Sequence, residues 1–222
     1  MSGKDITFEV NGKPVNGYLA LPSKSNAPGV IVLHAWWGLN SFFKHLCDRL
    51  AAEGFAAFAP DLNYGKVAKT IEEAKQFMPE NEDEQIHPIA AALPRFLRDQ
   101  SGVGKEPFSV IGFSMGAAWA LVLATEFPED IGKVVLFYGT YPGLDFSNAR
   151  ADILGHYADQ DEWGEPLEII RATEADMRTA GLSPTFHVYP NTKHWFFEED
   201  RPEYDPEAAE LAWKRTLEFL RK

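Results

Sequence analysis

The chain has 222 residues, with 21 Lys and Arg against 33 Asp and Glu, a formal net charge of −12 with histidines neutral. That length suits one domain spanning residues 1–222, and so acidic a surface repels phosphate backbones, which argues against nucleic-acid binding. Hydrophobic residues make up 45% and charged residues 24%, a globular balance; no apolar run reaches the ~18 residues of a membrane helix, and the single cysteine can form no internal disulfide.

In chain order, the opening Met1-Ser2-Gly3-Lys4-Asp5 carries no apolar leader, so a cytoplasmic protein is expected. Ile6–Val10 and Val15–Ala20 read as antiparallel strands turning at Asn11-Gly12-Lys13. Gly29–Leu33 is a buried strand, followed by an amphipathic helix over Ser41–Glu53 that Gly54 closes. A second buried strand, Phe55–Ala59, ends at Pro60-Asp61. Ile71–Phe77 and Asp83–Arg98 read as helical, interrupted at Pro79 and Pro88. Strand Phe108–Ile111, helix Met115–Glu126, and strands Val134–Tyr138 and Asp152–Tyr157 follow. Helix Glu165–Ala180, strand Thr185–Tyr189 and helix Pro206–Leu220 complete the pattern. Strands alternating with helices predict an α/β fold with a mostly parallel sheet, and ligands in such folds sit just beyond the carboxyl ends of the strands.

Gly112-Phe113-Ser114-Met115-Gly116 joins a predicted strand to a predicted helix and matches G-x-S-x-G. In that setting the serine sits on a strained turn, glycines on either side remove clashing side chains, and the next amide can donate to an oxyanion. The bland alternative is a serine that merely caps a helix. A serine nucleophile needs a base and an acid to orient it, in the chain order Ser, Asp or Glu, His for this arrangement. His34, His45 and His87 precede Ser114, and His156 and His187 fall inside strand patterns. His194, in the loop after the strand ending at Tyr189, is the expected base. The strand over Asp152–Tyr157 runs into a loop carrying Asp159, Asp161 and Glu162. Chain geometry favours Asp161, which stands further from the strand end, over Asp159.

The loop His34-Ala35-Trp36-Trp37-Gly38-Leu39-Asn40 follows the first buried strand. A backbone amide there, at Trp36, is the expected second oxyanion donor beside that of Met115. Trp37, Tyr64, Trp163 and Trp195 also follow strands; they can line a substrate-binding mouth or equally pack the core. No cluster of His, Cys and carboxylates has metal-ligand spacing, so no metal is expected.

Together these segments resemble the dienelactone hydrolase family of α/β-hydrolases over nearly the whole chain. The resemblance rests on Leu33 to Asn40, Ala59-Pro60-Asp61-Leu62, Gly112 to Gly116, the loop from His156 to Pro166, and Lys193-His194-Trp195-Phe196. It implies an α/β-hydrolase fold with helices on both sheet faces and no lid domain. It also implies a small, cofactor-free hydrolase; the resulting reading is a serine hydrolase of a small ester or lactone, with a monomer or a small homo-oligomer expected. It supports Asp161 as the acid and Trp36 as the oxyanion donor. The founding members of the family carry cysteine where this chain has Ser114; Cys47 reads as a small core residue and does not substitute. Those members also hold a substrate carboxylate with arginines at positions that here are Gly65 and Glu198, so an uncharged substrate is expected, and Glu198 would repel an anion if it faced the site. Two rival readings remain at this level: acyl transfer or perhydrolysis at the same site, and a non-catalytic binding protein on the same fold.

Overall fold

A computed structural model describes residues 3–79 and 82–222; Met1 and Ser2, the first residues of the opening segment, lie outside them. Among the described residues, eight strands and seven helices alternate in an α/β fold with mostly parallel strand pairing. The chain forms two compact units, Met1–Val110 and Ile111–Lys222.

In the first unit, β1 (Lys4–Val10) and β2 (Lys13–Ala20) pair antiparallel with Val10 opposite Lys13. Only Asn11 and Gly12 are left for the turn, with φ of 50° and 76°. The turn is therefore one residue shorter than the sequence suggests, because a two-residue turn with both φ positive matches the twist of its strands. β3 (Gly29–Leu33) and β4 (Ala56–Pro60) are buried along their whole length and pair in parallel, while β4 pairs antiparallel with β2. The strand order is β1-β2-β4-β3.

Between β3 and β4, α1 (Ser41–Ala52) is capped by Asn40, whose side chain accepts from the Phe43 amide at 3.3 Å. Beyond β4, α2 (Ile71–Phe77) is capped by Thr70. The helical stretch expected over 83–98 divides into α3 (Glu82–Gln85) and α4 (His87–Arg98). The break falls at Ile86 and not at Pro88, because Pro88 occupies the first turn of α4, where an amide N–H has no helical partner to lose. α4 runs through Pro94 to Arg98, the expected end.

β5 (Phe108–Phe113) leads into the second unit. There β6 (Ile131–Phe137), β7 (Asp152–Ala158) and β8 (Thr185–Tyr189) pair in parallel, placing Leu154 opposite both Val135 and Thr185. α5 (Met115–Glu126) is buried on nearly every side, consistent with its run of small and apolar residues. α6 (Leu167–Thr179) precedes β8, and α7 (Pro206–Leu220) is capped by Asp205, which accepts from the Ala208 amide at 2.9 Å. β6 stops one residue before the expected end: Tyr138 turns to φ 41° instead of continuing the strand.

Candidate active site

β5 ends at Phe113 and α5 begins at Met115, leaving Ser114 alone in the turn with φ 52° and ψ −115°. A serine held there costs of order 1–3 kcal/mol, which the packing around it must sustain. Two glycines make that packing possible. A Cβ on Gly112 would lie 2.3 Å from the Gly116 carbonyl oxygen, and one on Gly139 would lie 2.4 Å from that of Ser114. The Ser114 amide donates to the Phe137 carbonyl at 2.9 Å, tying the turn to β6. Ser114 stands at the N-cap position of α5, yet its side chain makes no cap hydrogen bond. Its Oγ lies instead 2.9 Å from His194 Nε2.

The other ring nitrogen of His194 lies 2.7 Å from Asp161 Oδ2. With the carboxylate accepting, Nδ1 carries the proton and Nε2 is free to accept from the serine hydroxyl. Asp161 Oδ1 accepts from the amides of Trp163 at 2.9 Å and Gly164 at 2.6 Å. Burial pushes this carboxyl up, but the hydrogen bond and charge of His194, with the Gly164 and Trp163 amides, outweigh it and hold Asp161 below the usual aspartate value. Gly164 admits no side chain, since a Cβ would sit 2.7 Å from Asp161 Oδ2 and 3.1 Å from His194 Nδ1. The imidazole is buried between two aromatic neighbours, Trp195 edge-on at 4.8 Å and Tyr138 tilted at 4.8 Å.

The other acids of the loop are engaged elsewhere or exposed. Asp159 Oδ1 accepts from the Thr192 amide at 3.2 Å, and the Gln160 amide donates to the Thr192 carbonyl at 3.1 Å. Asp159 therefore stitches the acid loop to the histidine loop, a task more specific than a solvated charge. Glu162 is exposed. His156 is a satisfied core histidine, its Nδ1 2.8 Å from Tyr189 Oη and its Nε2 3.1 Å from Thr216 Oγ1. Trp163 is 45% exposed and packs at 5.7 Å on Trp195, which is buried. Of these two expected lining residues, Trp163 is open to solvent and Trp195 buttresses the imidazole.

In the first unit, the loop after β3 is fixed by its neighbours in sequence and space. The Trp36 carbonyl accepts from Asn63 Nδ2 at 3.0 Å and the Trp37 carbonyl from the Ala68 amide at 2.9 Å. His34, wholly buried, accepts from the Leu62 amide on Nε2 at 2.9 Å and donates from Nδ1 to the Ala35 carbonyl at 2.6 Å. Burial pushes its imidazole down, which suits the neutral tautomer this geometry requires. Gly38 takes φ 88°, where a Cβ would meet the Lys66 carbonyl at 2.2 Å. Trp37 is buried within this loop, whereas Tyr64 is 47% exposed and reaches the Gln85 carbonyl with its hydroxyl. Cys47 lies buried in α1, its thiol pushed up by burial and by Asp48, the opposite of an activated nucleophile.

Three features escaped the sequence reading. Gly164 looked like an ordinary turn residue, although its place three residues after an acid candidate was a usable signal. Asn63, beyond Pro60-Asp61, orients the Trp36 peptide. Tyr138 and Glu198 form a buried hydrogen bond beside the imidazole, with nothing local in sequence to pair them. Among the described residues, no three His, Cys, Asp or Glu side chains gather as a metal-binding group, and no helix is long and apolar enough to cross a membrane.

A mostly parallel α/β fold with a strained residue between strand and helix is the architecture of an α/β-hydrolase. A model of the dienelactone hydrolase family matches residues 15–222, and the chain belongs to that family of carboxylic ester hydrolases. It is 35% identical over 229 residues to "Protein usf" of Aquifex pyrophilus, covering 99% of this chain and 98% of that protein. It is 32% identical over 228 residues to a "Putative carboxymethylenebutenolidase" of Aquifex aeolicus, covering 99% and 98%. A solved dienelactone hydrolase-like promiscuous phosphotriesterase from metagenomic libraries shares the fold, with a TM-score of 0.87 at 22% identity over 98% of this chain and 96% of that one.

Proposed function

We propose that this protein, working as one hydrolase domain, cleaves a small uncharged ester or lactone through an acyl-enzyme on Ser114. The observation that carries the proposal is the continuous hydrogen-bonded line from Ser114 Oγ to His194 at 2.9 Å and from His194 to Asp161 at 2.7 Å. The Ser114 oxygen attacks the carbonyl carbon as its proton passes to His194 Nε2. Asp161 holds the tautomer and stabilises the imidazolium. The negative charge on the former carbonyl oxygen is met by the Met115 amide, at the positive end of α5. His194 then protonates the leaving alcohol, and water, activated by the same imidazole, releases the acid. A lactone stays tethered through its acyl group until that second step.

Three features support an uncharged, partly apolar substrate. The protein carries a net charge of −12, which slows encounter with anions at low salt. Neither Gly65 nor Glu198 offers the cation that a carboxylated lactone would pair with. Glu198 itself enters differently from expectation: it is buried under Tyr138 rather than displayed, and its carboxyl is pushed up to about 8, so it is largely neutral near pH 7 and repels an anion less than a surface carboxylate would. Trp163, exposed beside the acid loop, suits a partly apolar group.

The test is hydrolysis of a panel of small neutral aryl esters and lactones by the wild type and Ser114→Ala. The variant should lose a factor on the order of 10⁴ or more in kcat with its fold intact. More than a tenth of the activity remaining would remove Ser114 from the chemistry, whereas a wild type that hydrolyses none of the panel would favour the binding-protein alternative.

A further inference from the structure

Glu198 lies four residues past His194, takes no part in the chemistry above, and is completely buried. Its Oε1 accepts from the Tyr138 hydroxyl at 2.7 Å. Its Oε2 is also buried and has no hydrogen-bond partner among the described residues. Tyr138 is equally buried, is held at φ 41° where β6 ends, and presents its ring to the His194 ring at 4.8 Å and 55°. Phe196 packs on the same ring at 5.7 Å. Carboxyl, phenol and imidazole thus form one packed series, and the hydroxyl that Glu198 grips belongs to the ring that walls the base.

We propose that Glu198, acting through Tyr138, is a positioning residue for the His194 imidazole, and that it positions the ring only while its own carboxyl is uncharged. The inference rests on the roles of Ser114 and His194 proposed above. Burial is the main force favouring the uncharged form, and it pushes the carboxyl up to about 8. Asp200 and Glu203 add to that rise, while the Tyr138 hydrogen bond and Arg201 oppose it. Those three charged groups face Glu198 from its own loop; Tyr138 faces it from the end of β6, with His194 at that ring, and Asp161 acting on the phenol. The phenol stays protonated throughout, since burial and the neighbouring Glu198 hold it well above the usual tyrosine range. Below about pH 8 the neutral carboxyl keeps Tyr138 docked. Above it, a carboxylate would leave a charged Oε2 buried without a donor, and an uncompensated buried charge is costly. The side chain is then drawn toward water or the Arg201 guanidinium, Tyr138 loses its anchor, and the imidazole loses one wall.

Four proteins test this: wild type, Glu198→Gln, Glu198→Ala and Tyr138→Phe. Two rates are followed from about pH 6 to 10, kcat/KM for a neutral aryl ester and phosphonylation of Ser114 by a fluorophosphonate. The wild type should lose at least about fivefold in both rates above pH 8. Gln keeps an acceptor for the Tyr138 hydroxyl and cannot ionise, so Glu198→Gln should stay within about threefold of wild type near pH 7 and lack the alkaline fall. Glu198→Ala and Tyr138→Phe remove the anchor; each should lose about tenfold in kcat at neutral pH, with KM little changed, and should also lack the fall. An alkaline fall in Glu198→Gln equal to that of wild type overturns the proposal, as does full neutral activity in Glu198→Ala. Should Glu198→Gln fail to fold, Tyr138→Phe decides: a fall matching wild type overturns the proposal. No labelling of wild-type Ser114 at any pH would instead overturn the nucleophile assignment, whereas labelling with identical profiles in wild type and Glu198→Gln overturns only the role of Glu198.

Discussion

The Gly164 amide donates to Asp161 Oδ1 at 2.6 Å, and the Gly164 α-carbon is so close that a Cβ would come within 2.7 Å of Oδ2 on the same carboxylate. The same Cβ would lie 3.1 Å from His194 Nδ1. A glycine here is thus a condition of the acid–base hydrogen bond. Gly164→Ala should push carboxylate and imidazole apart, lowering kcat by about 10²-fold through misplacement of the base. The loop itself is partly exposed, so the melting temperature should move little. Full activity in the variant would show that the loop yields without disturbing the pair.

Asp161 and Asp159 should separate cleanly in their amide variants. Asp161→Asn replaces the acceptor of the His194 Nδ1 proton and favours the wrong tautomer, for a loss on the order of 10³ to 10⁴ in kcat. Asp159→Asn keeps an oxygen able to accept from the Thr192 amide and should cost less than about fivefold. Steady-state kinetics on a neutral ester measures both; the reverse ranking would transfer the orienting role to Asp159.

His156 predicts an acid-side loss of stability. Burial first, then the charges of His187 and Arg215, hold its imidazole well below the ordinary histidine value. Below about pH 6.5 the unfolded chain takes up a proton that the folded chain refuses, so the unfolded state binds more protons and stability falls as pH drops. One such group contributes a slope of up to about 1.4 kcal/mol per pH unit. Denaturant unfolding of wild type between about pH 5 and 7 should show this slope. His156→Gln, less stable overall because it cannot span both Tyr189 and Thr216, should show a shallower one. An unchanged slope would mean that His156 does not supply the linkage.

Substrate charge gives a further prediction. For matched pairs of neutral and carboxylated esters or lactones, kcat/KM should favour the neutral member, and the gap should narrow as salt screens the −12 charge. A preference for the carboxylated member would point to a cation acting on the substrate.

Most of the fold was legible because its strands are short apolar runs closed by Gly, Pro and Asp, and because β3 and β4, buried on both faces, need apolar residues throughout. Ser114 and His194 were legible because the elbow motif and the chain order restrict where they can fall. Asp161 was only partly so. Two aspartates two residues apart share one loop, and what separates them is the loop path that brings the Thr192 amide to Asp159 and the Gly164 amide to Asp161. Glu198 was hidden for a general reason. A glutamate followed by Glu199 and Asp200 reads as solvated surface, since carboxylates are rarely buried whole. Its partner Tyr138 lies 60 residues away in sequence, a pairing that only the folded chain creates. The left-handed turn at Tyr138 was hidden likewise, because an aromatic residue after the apolar run Val134–Phe137 reads as more strand.

A fluorophosphonate reads out whether Ser114 is a nucleophile activated by His194, because it reacts with the activated oxygen irrespective of the natural substrate. After incubation with the probe, digestion and mass spectrometry should find one phosphonyl adduct, on the peptide carrying Ser114. Ser114→Ala should carry no adduct, and His194→Ala should label at least about 10³-fold more slowly. An unlabelled wild-type protein, or an adduct that persists in Ser114→Ala, would mean that Ser114 is not the activated nucleophile.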